Sequence, residues 1–145
     1  MLDVMTDHPA LQRFVHAQDA GDTYSNAVRE LRDGRKQSHW MWFVFPQVAG
    51  LGRSATAQHF AISGLPEAVA YLAHPVLGQR LRECAHLLIE LPRTDPVAIF
   101  GQVDAQKLQS SMTLFALAAP DEPAFQEVLM QFFDGAPDDA TTSLV

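Results

Sequence analysis

Three stretches hold side chains whose types and spacing could do chemistry. The first is "GRKQSHWMWF", Gly34 to Phe43. Its Arg35, Lys36 and His39 could neutralise phosphate while Trp40 or Trp42 stacks on a base or a nicotinamide-like ring. On a helix Lys36, His39 and Trp42 follow one another at a spacing of three and share a face. The competing reading is that both indoles fill the core and the cations are surface charge. The second is "GLGRSA", Gly50 to Ala55. In a dinucleotide fold such glycines let the backbone approach a pyrophosphate at a helix N-terminus. Without a preceding strand and a βαβ unit, a milder reading survives: Ser54 caps a short helix through Phe60, and Arg53 beside that cap favours an anion. The plainest reading is a turn and a cap. The third is "DAQKLQSSMTLF", where Ser110, Ser111 and Thr113 lie where a helix enters the core, with Lys107 one turn before Ser111. Buried hydroxyls need partners, so these back-bond to the preceding turn or face a polar pocket.

Other chemistries lack their residues. The six histidines (His8, His16, His39, His59, His74, His86) form no H-x-x-x-H or H-E-x-x-H pair, so no metal or other cofactor is expected. There is no G-x-S-x-G elbow and no P-loop. The single cysteine, Cys84, lies on an apolar helical stripe and reads as an inert core thiol. That leaves His39 as the only candidate general acid–base near neutral pH.

Bulk properties narrow the class. A chain of 145 residues with 48% apolar and 19% charged residues suits one globular domain, able to bury roughly two thirds of its unfolded surface. Its net charge of −7 argues against duplex nucleic acid. The charge is uneven: Arg29 to Arg53 holds five bases against two acids, and from Asp121 onward there are six acids and no base. A local basic surface on an acidic molecule suits a small anionic ligand. With no basic leader, no long apolar run and no possible internal disulfide, a soluble cytoplasmic protein is expected, with no membrane contact.

The elements that must position these residues read as helices. Asp shortly before Pro opens "TDHPALQRF", "TDPVAIF" and "PDEPAFQEVLMQFF", and apolar residues then recur at three and four. No segment alternates with period two. The expected fold is all-α: one multihelical globular domain over 1–145, of about eight short helices around a buried central helix. That central helix is placed at "HWMWFVFPQ", capped by Ser38 and ended by Pro46. The acidic segment 136–145 is expected to be loosely held.

The stretches "GRKQSHWMWFVFPQVAGLGRSA", "EAVAYLAHPVLGQRL" and "IFGQVDAQKLQSSMTLF", with the "FFDG" to "TTSLV" tail, together resemble an uncharacterised bacterial family, domain of unknown function 1810, sometimes mislabelled calpastatin. The resemblance runs from about Leu11 to the C-terminus. It implies an all-α single domain and no assigned reaction. The tail departs from the family, which tends to carry a base near "PDDATT". The resulting functional expectation is a pocket where residues 36–47, 50–54 and 107–113 meet, binding and perhaps hydrolysing a small phosphate-bearing or nucleotide-like ligand. Its candidate lining is Lys36, His39, Trp40, Trp42, Gln47, Arg53, Ser54, Lys107, Ser110 and Ser111. The alternative is a non-enzymatic interaction module whose acidic tail meets a basic protein partner.

Overall fold

Proline, aspartate and glycine punctuate the chain, and a computed structural model, which describes residues 9–145, shows what they delimit. A 3-10 turn at Pro9–Leu11 leads into α1 (Gln12–Asp19), α2 (Thr23–Asp33), α3 (Met41–Val44), α4 (Ala55–His59) and α5 (Leu65–Ala73). Then come α6 (Leu77–Ile89), α7 (Pro96–Phe100), α8 (Gln102–Ala118), α9 (Pro123–Phe133) and α10 (Asp139–Leu144). The fold is all-α. Among the described residues the sole β-type pairing is an isolated parallel bridge between Val48 and Ile62. None of these helices is long and apolar enough to cross a membrane.

Several start and stop signals act as read. Asp95 accepts from the Val97 amide at the head of α7, and Ser54 accepts from the Ala57 amide at the head of α4. Gly34 closes α2 in the left-handed conformation, φ 71°, where a side chain would be strained. Asp7, in "TDHPALQRF", lies outside the described residues. Asp121 makes no cap, because Glu122 occupies the cap position of α9 and its side chain accepts nothing there.

The core joins two aromatic groups. Phe14, Tyr71, Phe115 and Phe125 form a chain with successive ring centroids 5.2, 5.3 and 5.9 Å apart. Trp40, Phe45 and Phe100 form a triangle with centroids 6.2 to 6.4 Å apart. Such tilted and edge-on contacts add to the area buried.

Two expectations are corrected. The central helix is α8: its run Ser110–Phe115 is buried on every side, with α5, α7, α9 and α10 packed around it. α3 is buried but only one turn long. Pro46 follows close behind it, and Ser38 does not cap it, because the Ser38 hydroxyl donates to Glu30 instead. The segment 136–145 is not a loose tail. Asp138 caps α10 by accepting from the Thr141 amide, and Thr141 is fully buried against α8.

Candidate functional site

The loop after α3 owes its place to backbone pairing. The Ala49 amide donates to the Ile62 carbonyl (2.7 Å) and the Ile62 amide to the Gln47 carbonyl (2.8 Å), which fixes Gln47 and the glycine turn beyond it. The glycines answer to packing within the chain. A Cβ on Gly52 would lie 2.4 Å from the Ala57 Cβ, so the loop can fold back on α4 only without a side chain there. Gly50 sits at φ 106° with the Leu144 side chain of α10 over it. The G-x-G pattern is therefore a turn between α3 and α4, pinned from above by the C-terminal helix.

Across from this turn, Val103, Gln106, Lys107 and Ser110 follow the i, i+3, i+4, i+7 spacing of one face of α8. The third wall comes from α10 and its cap, Asp138 and Ala140. Together with Gln47, Leu51 and Gly52 these residues enclose a cleft of about 220 Å³. That is below the roughly 300–1,000 Å³ of pockets for drug-sized ligands, so the cleft fits a group the size of one sugar or phosphate rather than a dinucleotide.

Hydroxyls tie the third wall to α8. The Ser110 and Thr141 hydroxyl oxygens lie 2.9 Å apart, and Thr141 Oγ1 donates to Asp138 Oδ2 at 2.6 Å. The Asp138 amide donates to Thr113 Oγ1, which itself donates to the Gln109 carbonyl. Thr113 thus back-bonds to the preceding turn, while the Ser110 hydroxyl is buried against Thr141 at the edge of the cleft. Ser111 Oγ is buried with no partner among the described residues and does not line the cleft.

The cations and indoles meet at one carboxylate. Lys36 Nζ lies 2.9 Å from Asp104 Oδ2, and Lys107 Nζ lies 3.7 Å from Asp104 Oδ1. Lys36 also sits 5.1 Å from the Trp40 ring centroid and Lys107 4.9 Å from that of Trp42, both within cation–π range. Lys36 is nearly buried and donates to the Ser38 carbonyl as well. Lys107 is partly exposed and lines the cleft, and its ammonium pairs with Asp104 only at 3.7 Å.

Trp40 is not available for stacking. It is fully buried, and its indole N–H donates to Glu30 Oε1 at 2.9 Å. Glu30 also accepts from the Gln37 and Ser38 amides and the Ser38 hydroxyl. Burial by itself would raise this carboxyl, but the four donors outweigh it and hold Glu30 at about 2. Cys84 is fully buried, and burial pushes its thiol up to about 12, which fits the inert thiol read from the sequence.

The expected lining therefore divides. Gln47, Lys107 and Ser110 line one cleft, and Lys36, Trp40 and Trp42 support it from behind, around the Asp104 ion pairs. His39, Arg53 and Ser54 are exposed or nearly so and do not line it, although Arg53 follows Gly52 directly. Sequence reasoning missed Val103, Gln106, Asp138 and Ala140. The first two were legible as the face of α8 that carries Lys107. Asp138, three residues before Thr141, carried a cap signal that the acidity of the tail concealed.

The geometry defines an all-helical domain with a small mixed-charge cleft closed by its own C-terminal helix. Comparison with known proteins identifies the group to which such a domain belongs. The family model described as "Protein of unknown function (DUF1810)" matches residues 8–145, and the chain belongs to that family. It is similar to the conserved hypothetical protein Rv1873 from Mycobacterium tuberculosis, whose crystal structure was solved at 1.38 Å. The two are 47% identical with a TM-score of 0.91, over 95% of this chain and 98% of that one. No curated protein matches the chain.

Proposed function

We propose that the chain binds a small phosphate-bearing ligand in the cleft between α8, the Gln47–Gly52 loop and α10. The observation that carries this reading is Lys107. It lines the cleft, and its ammonium stands 3.7 Å from Asp104, a looser pairing than the 2.9 Å of Lys36 to the same carboxylate. Lys36 and Lys107 share Asp104, and Asp138 lines the same cleft, so among the described residues Lys107 is the one cation lining a cleft whose charges balance. Gln47 and Gln106 add neutral hydrogen-bonding groups around it, and Leu51, Val103 and Ala140 supply apolar wall. Small size and few convergent polar groups are what orient a small ligand.

The reading is binding rather than hydrolysis. His39, the candidate acid–base, does not line the cleft. The docking of α10 also favours a pocket over an acidic interaction arm, because Asp138 caps that helix and lines the cleft.

The test is a thermal-shift screen of mononucleotides, sugar phosphates and inorganic phosphate, run on wild-type protein and on Lys107→Ala. A ligand present at about 100 times its Kd raises stability by about 2.7 kcal/mol. The expected result is at least one stabiliser whose effect Lys107→Ala removes. A panel without any stabiliser, or one that stabilises both proteins equally, overturns the reading.

A further inference from the structure

A single residue, His74, splices two helices. Its amide donates to the Ala70 and Tyr71 carbonyls and so closes α5. Its carbonyl accepts from the Gly78 amide (3.0 Å), and its ring Nδ1 accepts from the Val76 and Leu77 amides at 3.1 and 3.2 Å. With φ −66° and ψ 132°, and Pro75 directly after it, His74 has the backbone of a helix N-cap followed by proline in the first turn. A ring nitrogen here takes the place of the usual Ser, Asp or Asn oxygen.

An imidazole nitrogen accepts only while it carries no proton, so these two contacts require a neutral ring with its proton on Nε2. Burial of the half-buried ring holds it below its ordinary 6.5. The two amides act in the same direction, since a proton on Nδ1 would face two N–H donors and set positive charge on the positive end of α6. Among the described residues no carboxylate bonds the ring to oppose this. The charged groups of α5 and α6 are engaged elsewhere: Glu67 with Arg13, Arg80 with Asp19, Arg82 with Glu122, and Glu83 with the Tyr24 phenol. Asp22, His86 and Asp121, the remaining titratable groups of α6 and of the turns beside it, are exposed.

We propose that His74 is a proton-operated latch between α5 and α6, closed while the neutral ring caps α6 and released when the ring takes up a proton. The latch also holds a wall. Val76, Gln79 and Arg80, from the capped turn onward, line a second cleft of about 290 Å³ with Tyr24 and Glu83. The Lys107 cleft shares none of these residues, so acid loosens one cleft and leaves the other in place. The neutral ring stabilises the fold in full above 6.5, and that contribution is lost as the pH falls through the lowered value of the folded chain.

Heteronuclear NMR of the ring nitrogens, combined with amide hydrogen exchange, tests this between about pH 8 and about pH 5. His74 should carry its proton on Nε2 when neutral and titrate below the ordinary histidine value. As it titrates, protection of the Leu77 and Gly78 amides, corrected for intrinsic exchange, should fall about tenfold while Met112 in α8 keeps its own. His74→Asn, whose side-chain oxygen caps without titrating, should hold that protection across the whole range. Titration at or above the ordinary value, or a neutral ring protonated on Nδ1, would overturn the latch. So would a loss of protection that persists in His74→Asn, or no loss in the wild-type protein.

Discussion

Glu30 shows how one buried carboxylate decides the use of its neighbours. It accepts from two amides, one hydroxyl and the Trp40 indole, and thereby takes Ser38 from its expected cap and Trp40 from any ligand. A carboxyl held at about 2, below its ordinary 4.5, contributes stability in full above 4.5 and loses it as the pH falls from there through about 2. The difference is worth at most about 3 kcal/mol. Glu30→Gln should therefore cost about 2–3 kcal/mol at pH 7, and urea melts should show that gap closing as the pH falls toward 3. A gap independent of pH would contradict this role. Ser111 is the opposite case, a buried hydroxyl that bonds nothing among the described residues. Removing it should be neutral or stabilising by about 1 kcal/mol, raising Tm by a few degrees. A clear fall in Tm for Ser111→Ala would mean that the hydroxyl is satisfied in solution. Neither result could be read from the chain, because partners such as Glu30 for Trp40 are set by how a helix end folds over a loop.

At the scale of elements, the helices were legible because Asp–Pro starts and spacings of three and four are local signals. What escaped was dictated by contacts distant in sequence. Nothing in "WMWFVF" announces that α3 stops after one turn, and nothing in "PDDATTSLV" announces α10 except the Asp138 cap. The acidity of that tail suggests looseness, but burial of Thr141 against α8 outweighs it. Gly78 makes the same point within α6. A glycine inside a helix ordinarily weakens it by up to about 1 kcal/mol relative to alanine. Here a Cβ would lie 2.1 Å from the Leu72 carbonyl oxygen at the end of α5. Gly78→Ala should thus destabilise by about 2–3 kcal/mol through overpacking, seen as a lower urea midpoint, whereas a gain in stability would show that α5 and α6 sit further apart.

At the scale of the whole molecule, the cleft is built from residues 47–52, 103–110 and 138–140, which only the fold brings together. Of the lining expected from the sequence, Gln47, Lys107 and Ser110 reach it, and Lys36, Trp40 and Trp42 stand behind it. Lys107 was found by its place before a polar patch on a core-bound helix. His39 was singled out for a helical face shared with Trp42, but α3 begins only at Met41; Arg53 was singled out for its place beside the Ser54 cap, and the fold leaves both outside the cleft. Binding of a small phosphate-bearing ligand on Lys107 is tested most directly by a heteronuclear NMR titration of the protein with ribose 5-phosphate. Amide shifts should cluster at Gln47, Gly52, Lys107, Ser110 and Asp138, saturate with added ligand, and vanish in Lys107→Ala. Shifts centred on His39 and Arg53, or none at any concentration, would contradict that binding.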